Sequence, residues 1–127
     1  MKLRFKFESV ECIAEIYENV APMTVGAIRK ALPIEAIANR WGDEIYFETE
    51  VKCVEKENSK EIVELGDVAY WIPGRALCLF FGKTPISDEF IRPASAVNVI
   101  GKLLCDISKL KNVQDGERVF VEEVKEI

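Results

Sequence analysis

The chain has 127 residues, a net charge of −5 and no histidine, so we predict one domain with one core over residues 1–127. The negative charge gives no electrostatic support for binding nucleic acid or an anionic membrane, and no apolar stretch approaches the roughly 20 residues that span a bilayer. The absence of histidine excludes every mechanism built on an imidazole base or nucleophile.

The first predicted elements are a β-hairpin and a helix. Apolar and charged residues alternate over residues 2–17, and the phase of the alternation changes after Ser9, which predicts two strands joined by a tight turn. Pro22 suits the first turn of a helix, and apolar residues then repeat at helical spacing as far as Leu32. Pro33 ends this predicted helix.

The middle of the chain is predicted to be rich in strands. Residues 34–44 have no decisive pattern, whereas residues 45–53 alternate as a strand and residues 62–65 begin the strand that returns. Two short apolar runs, residues 68–72 and 76–81, are typical of buried strands. They are separated by a tight reversal, in which Pro73 presets φ and Gly74 can take a positive φ.

The last predicted elements are a strand at residues 97–100, a short helix from Asp106 to Leu110, and a closing strand at residues 119–124. Asn98 is polar within an apolar strand, so we expect it to hydrogen-bond to the backbone. The chain is therefore predicted to be mainly β, with about eight strands and two short helices. Many short antiparallel strands in one domain predict a closed antiparallel β-barrel.

The four cysteines are scattered along the chain and form no C-x-x-C pair: Cys12, Cys53, Cys78 and Cys105. Each has apolar neighbours, so we expect all four to be reduced, unbridged and packed as small hydrophobic residues. Without clustered ligands or histidine, we expect no metal site and no cofactor.

Sequence and composition also give expectations for the cellular location and the source organism. The alternating segment that begins the chain lacks the continuous apolar region of a signal peptide, so we expect a cytoplasmic protein. Glutamate and lysine are abundant, whereas Gln114 is the one glutamine. This bias favours a thermophilic source.

Three stretches, in the same order and spacing, resemble a cyclophilin: residues 14–32, 66–85 and 98–103. The first is a strand leading into Ala21-Pro22-Met23-Thr24, the second runs from GDVAY to GRALCLFF and KTP, and the third is NVIGKL. The chain is shorter than typical cyclophilins between Tyr46 and Gly66. It most resembles small, uncharacterised cyclophilin-like proteins of archaea and thermophilic bacteria, which implies a cyclophilin-like barrel.

The resemblance does not extend to the prolyl isomerase machinery of cyclophilins. In that family an arginine after a Phe-His pair is directed at the prolyl amide, and a glutamine, aromatic residues and a late histidine complete the groove. The corresponding run here, residues 42–48, contains no arginine, and the groove aromatic falls near Leu77 or Cys78. The family's proline-binding chemistry is therefore not reproduced.

Several residues remain as candidates for a ligand groove between residues 40–48 and 71–78. Arg40 and Arg75 lie beside aromatic or turn residues and could present a guanidinium to a carboxylate or carbonyl, although surface packing explains them equally. Two tryptophans could line a pocket or simply pack in the core. The predicted ligand-binding residues are Arg40, Trp41, Tyr46, Trp71, Arg75 and Cys78.

Three functions compete on this pattern. The first is a cyclophilin-like module that binds a small molecule or peptide without conventional isomerase activity. The second is a divergent prolyl isomerase that uses Arg40 or Arg75. The third is an unknown enzyme or a structural subunit that binds another protein through a barrel face. A groove where tryptophan and arginine converge favours the first two, and a large flat apolar patch favours the third.

Overall fold

The computed structural model describes residues 1–125, which form ten strands, one α-helix and one 3₁₀ helix. Residues 126 and 127, the last two of the predicted domain, lie outside the described residues. The helix α1 is Pro22–Ala31 and the 3₁₀ helix is Ile107–Asn112. The strands are β1 Lys2–Phe7, β2 Glu11–Ile16, β3 Ile34–Ile37, β4 Asn39–Trp41, β5 Glu44–Glu48, β6 Ser59–Lys60, β7 Asp67–Trp71, β8 Ala76–Phe80, β9 Val97–Leu103 and β10 Arg118–Val124.

The strands form one antiparallel sheet that is nearly closed into a barrel. Its order is β3-β10-β1-β2-β9-β7-β8-β5-β4, with β6 paired to β9. The two ends of this order are consecutive in the chain, because β3 and β4 are joined through Ala38 alone. The amide of Ala38 donates to the carbonyl of Glu117 at 2.8 Å. This bond attaches the junction to the residue that precedes β10. The predicted fold class is confirmed.

The individual strands differ from the prediction at four places. Residues 34–44, which have no decisive pattern, form β3 and β4, and the two-residue β6 was not predicted. The predicted strand at residues 62–65 is reduced to one bridge between Val63 and Ile91. The strand predicted over residues 45–53 ends at Glu48.

The barrel interior is filled by one apolar cluster. Phe5 and Phe47 are fully buried and meet edge to face, with ring centroids 6.2 Å apart. From α1, Val25 and Ile28 enter the same cluster, and Leu110 of the 3₁₀ helix joins it. Burial of large side chains on the inner faces of the strands is the main stabilising contribution to the barrel.

A second apolar cluster lies on the opposite, outer face of the sheet. We call it the outer cluster, and its buried members are Val63, Ala69, Ala76, Cys78, Phe80, Val97 and Val99. Tyr46, Trp71 and Ile91 pack against it. A sheet that is apolar on both faces explains why the runs of β7 and β8 are continuously apolar rather than alternating.

The prediction that all four cysteines are unbridged is wrong, because Cys12 and Cys105 form a disulfide. Strand β2 pairs with β9 in a register that sets Ala14 opposite Leu103, and two further steps place Cys12 opposite Cys105 with their Cα atoms 5.4 Å apart. This separation suits a disulfide. The two cysteines are 93 residues apart in the sequence, so nothing local indicates that they pair.

Other local predictions can be compared with the structure. Cys53 and Cys78 are free and buried. In the turn between β7 and β8 the residue with positive φ is Arg75, at 48°, rather than Gly74. No helix within residues 1–125 is long and apolar enough to cross a membrane.

Candidate ligand-binding cavity

A small cavity opens on the outer face of the sheet, beside the outer cluster. Its volume is about 150 Å³. Strands β4, β5, β7 and β9 supply most of the lining, and the segment that precedes β9 supplies the rest. The lining residues are Trp41, Glu44, Tyr46, Trp71, Pro93, Ala94 and Val97.

The β4–β5 hairpin places three of these side chains together. Trp41 pairs with Glu44 across the hairpin, and Tyr46 lies two residues further along β5, on the same face as Glu44. Gly42 makes the tight turn possible with φ of +62°, and a β-carbon there would lie 2.8 Å from the carbonyl oxygen of Lys83. A residue with a side chain would therefore disturb the hairpin that carries the cavity.

Trp71, at the end of β7, forms another wall. Its indole Nε1 donates a hydrogen bond to Ser95 Oγ at 2.7 Å, which ties the wall to the segment above the cavity. The ring also packs on Gly74 in the following turn. Trp71 is thus held from two sides, although it is only partly buried.

The roof of the cavity, Pro93 and Ala94, is carried by an internally hydrogen-bonded loop. Ser87 Oγ accepts from the amides of Thr84 at 2.9 Å and Arg92 at 3.0 Å. The hydroxyl of Thr84 also donates to the Arg92 carbonyl. These bonds close the loop on itself, so the roof has a fixed support although it lies outside regular secondary structure.

Glu44 is the polar group at the base of the cavity. Its side chain lines the cavity although the residue is only 5% exposed. Within residues 1–125, Glu44 Oε1 is the one buried side-chain nitrogen or oxygen without a hydrogen-bond partner. Burial raises the pKa of Glu44 to about 7, and an interaction with the Cys78 thiol opposes this shift in part. A buried carboxyl with one unpartnered oxygen is expensive to maintain, and such groups concentrate at functional sites.

Cys78 lies beneath the cavity rather than in its lining. It pairs with Tyr46 across β5 and β8 and belongs to the outer cluster. Burial and the neighbouring Glu44 raise the pKa of the Cys78 thiol well above its usual value. The thiol therefore stays protonated and is unsuited to nucleophilic chemistry.

Arg40 does not reach the cavity, because its guanidinium is used to hold two turns together. It donates to the carbonyl oxygens of Gly42, Lys111 and Val113 at 3.0, 3.2 and 2.8 Å. It also contacts Asp43 Oδ1 at 3.2 Å. These bonds join the β4–β5 hairpin to the end of the 3₁₀ helix, so the side chain has a structural task.

Arg75 lies at a different and larger cleft, of about 920 Å³, between α1 and residues 49–55. The residue is exposed, and charged side chains such as Lys30, Glu50 and Lys52 line the same cleft. Size alone would favour this cleft as the functional site. We place more weight on the smaller cavity, because it combines three aromatic walls with a buried carboxyl that has one unpartnered oxygen.

The structure therefore brings together three of the six predicted ligand-binding residues, Trp41, Tyr46 and Trp71. Glu44 was missed, because it lies in residues 34–44, which have no decisive pattern, and a glutamate is normally exposed to solvent. One signal was present: Glu44 lies two residues before Tyr46, so the two side chains share a face of a strand. In the structure, the apolar strand β8 continues that face. Pro93, Ala94 and Val97 were also missed, since nothing local shows that their loop folds over this face.

Within residues 1–125, no group of three or more histidine, cysteine, aspartate or glutamate side chains could hold a metal ion. The polar chemistry of the cavity is that of a carboxyl group among aromatic rings.

Comparison with known proteins identifies one family and several similar solved structures, including the two that follow. The sequence model described as cyclophilin-like matches residues 1–122. The solution structure of the hypothetical protein AF2241 from Archaeoglobus fulgidus is 64% identical, with a TM-score of 0.85, and the match covers 98% of this chain and 95% of that one. The structure of McbB in complex with tryptophan is 12% identical, with a TM-score of 0.75, over 98% of this chain and 45% of McbB. The second likeness is one of fold. No curated protein matches the chain.

Proposed function

The chain belongs to the cyclophilin-like family, and on that basis we propose that it is a binding module for a small molecule or a peptide side chain. Its binding site is the cavity at Glu44, and the proposed unit is the single domain over residues 1–127. The observation that carries the proposal is the unpartnered, buried Oε1 of Glu44 in a cavity with aromatic walls. Pockets of this kind combine apolar walls with a few polar groups that fix a ligand's orientation.

The volume of the cavity limits the size of the group that can enter it. A space of about 150 Å³ holds one ring of about the size of benzene. A larger ligand would insert one ring or head group and leave the remainder on the surface. The aromatic walls contribute contact area, and Glu44 selects ligands that offer it a hydrogen bond or a charge.

The alternative, a divergent prolyl isomerase using Arg40 or Arg75, has less support. The Arg40 guanidinium donates to three backbone carbonyls, and Arg75 lies at the other cleft. The cavity itself presents a carboxyl group, which has the opposite electrostatic character to a guanidinium. We therefore propose that the module lacks conventional isomerase activity.

The proposed cellular location and source organism must be compatible with the disulfide. Disulfides are rare in the cytosol of mesophiles, whereas intracellular proteins of hyperthermophiles are rich in them. A cytoplasmic protein from a thermophile is consistent with both the composition and the Cys12–Cys105 bond. We therefore propose a cytoplasmic location in a thermophilic organism.

Binding can be tested with a set of single-ring compounds, a short X-Pro peptide and tryptophan, the last because McbB was solved with it. Both tryptophans of the chain line the cavity, so their fluorescence reports directly on occupancy. We expect Trp71→Leu to weaken binding at least about tenfold, which is about 1.4 kcal/mol. Arg75→Ala is the matched control, because it alters the larger cleft. Binding that survives Trp71→Leu and is lost in Arg75→Ala would place the site in that cleft instead.

A further inference from the structure

The cavity holds a carboxyl group for which residues 1–125 supply no cation. The groups around Glu44 are neutral: the Cys78 thiol of β8 interacts with it, and Tyr46, Trp41 and Trp71 line the same cavity. Valine, proline and alanine complete the lining. Among the residues that the structure describes, no lysine or arginine lines the cavity.

The two arginines near the cavity, Arg40 and Arg92, are paired with other groups. Arg40 is held by Asp43 and by backbone carbonyls. Arg92, which precedes the roof, pairs with Asp88 at 3.0 Å. When Glu44 is ionised, its counter-charge must therefore come from a ligand, because a buried carboxylate is stable only when it is paired.

The walls suit a cationic ligand for an independent reason. The face of an aromatic ring carries partial negative charge and attracts cations, with tryptophan the most effective ring. Two tryptophans and one tyrosine line a cavity of about 150 Å³. Aromatic side chains grouped in this way are used to recognise substituted ammonium groups.

We infer that the cavity is a receptor for an organic ammonium group, held against Trp41, Tyr46 and Trp71 and paired with the carboxylate of Glu44. The inference rests on the proposed binding function and names its ligand class. The head group is of substituted-ammonium size, and the rest of the ligand extends out of the cavity. In the free protein a proton takes the place of the cation on Glu44.

Choline and its neutral isostere 3,3-dimethylbutan-1-ol provide a direct test, since they differ in charge and share shape. Each is titrated against tryptophan fluorescence at matched ionic strength, with sodium chloride as the salt control. We expect choline to bind at least about tenfold more tightly than the alcohol. Equal affinities, tighter binding of the alcohol, or no binding of choline would each overturn the inference.

Variants assign the preference to Glu44. Glu44→Gln should reduce the preference for choline to the part that the aromatic walls provide, and should retain binding of the alcohol. Glu48→Gln is the matched control, because Glu48 is on the same strand but is exposed and outside the cavity lining. A preference for choline that is as large in Glu44→Gln as in the wild type would overturn the pairing with this carboxylate.

The pH dependence gives a second readout. Choline carries a fixed charge, so any change reflects the protein. With the pKa of Glu44 at about 7, the ionised fraction falls about tenfold between pH 8 and pH 6, and choline affinity should fall by the same factor. An affinity independent of pH would contradict the inference.

The outcome also separates this inference from the proposed function. If neutral single-ring compounds bind and choline has no advantage, the binding module stands and its ligand class is wrong. If neither class of compound binds, both the function and the inference are wrong.

Discussion

The indole ring of Trp71 packs directly on the α-carbon of Gly74. A β-carbon at residue 74 would lie 2.6 Å from both Cε3 and Cζ3 of that ring, which is closer than real β-carbons approach. Since Trp71 is a wall of the cavity, the absence of a side chain at Gly74 helps to set the cavity's shape.

Replacing Gly74 with alanine should therefore change the cavity without touching its lining chemically. We expect Gly74→Ala to displace the Trp71 ring, shift its fluorescence and weaken ligand binding about tenfold, or about 1.4 kcal/mol. Gly26→Ala is the control, because a β-carbon there meets nothing within 4 Å. In the helix interior that change should stabilise the protein by about 0.5–1 kcal/mol. Unchanged binding by Gly74→Ala would show that Trp71 does not shape the site.

We next expect no marked acceleration of X-Pro isomerisation in a peptide assay. No guanidinium lines the cavity, and loss of one transition-state hydrogen bond commonly costs about 2.7–4 kcal/mol, or about 10²–10³ in rate. The assay is run on the wild type and on Arg75→Ala and Arg40→Ala, with unfolding followed in parallel because Arg40 has structural bonds. Robust catalysis abolished by either substitution in a folded protein would favour the divergent isomerase.

Much of the fold could be predicted because its signals are local. The alternation in β1 and β2, with its change of phase after Ser9, corresponds to a hairpin in which Phe5 pairs with Cys12. Pro22 begins α1, and Asp106 caps the 3₁₀ helix by accepting from the amide of Ser108 at 3.1 Å. These features depend on residues a few positions apart, which is the range over which periodicity and capping act.

The features that could not be predicted depend on distant strands meeting. The disulfide needs the register of β2 on β9, and the role of Glu44 needs a loop of later residues to cover it. Asn98 was expected to bond to the backbone, and it does so, donating to the Glu55 carbonyl at 2.8 Å. Its second bond, to Thr24 Oγ1 at 3.1 Å, links β9 to α1 and has no sequence signal.

The Cys12–Cys105 disulfide should contribute strongly to stability. It closes a loop of 93 residues, and cross-linking a loop of about 100 residues is worth about 4.7 kcal/mol in the chain-entropy model, with measured values of about 2–5 kcal/mol. We expect reductant to lower the free energy of unfolding in denaturant by about that amount. The double variant Cys12→Ala/Cys105→Ala should be equally destabilised and insensitive to reductant. A reductant effect that persists in the double variant would mean another thiol is responsible.

Glu57 should stabilise α1 from outside the helix. Ala21 has no side-chain cap, and Glu57 accepts from the amides of Met23 at 3.1 Å and Thr24 at 2.7 Å instead. We expect Glu57→Ala to cost about 0.5–2 kcal/mol of unfolding free energy at neutral pH. Glu50→Ala is the control, since Glu50 is exposed.

The same cap has a predictable pH dependence. Burial raises the pKa of Glu57, but hydrogen bonds from Thr24 and Met23 outweigh it and leave the pKa below its usual value of 4.5. The stabilisation is therefore present above that value and is lost as the pH falls through the folded-state pKa. The difference between wild type and Glu57→Ala should shrink in acid, and a difference that grows there would contradict the capping role.

Glu44 should give the opposite pH dependence. Its pKa in the folded protein is about 7, against 4.5 for the free side chain, so the folded state holds the proton more tightly than the unfolded state. The stabilisation is present in full below pH 4.5 and is lost as the pH rises through about 7. A shift of this size corresponds to roughly 3 kcal/mol. We expect the free energy of unfolding, measured in denaturant from about pH 5 to pH 8, to fall by an amount of that order in the wild type, after subtraction of the same series for Glu44→Gln. An organic ammonium ligand should restore stability at the alkaline end, where it replaces the lost proton. If wild type and Glu44→Gln have parallel profiles, the carboxyl is not held in the buried, unpartnered state on which the site depends.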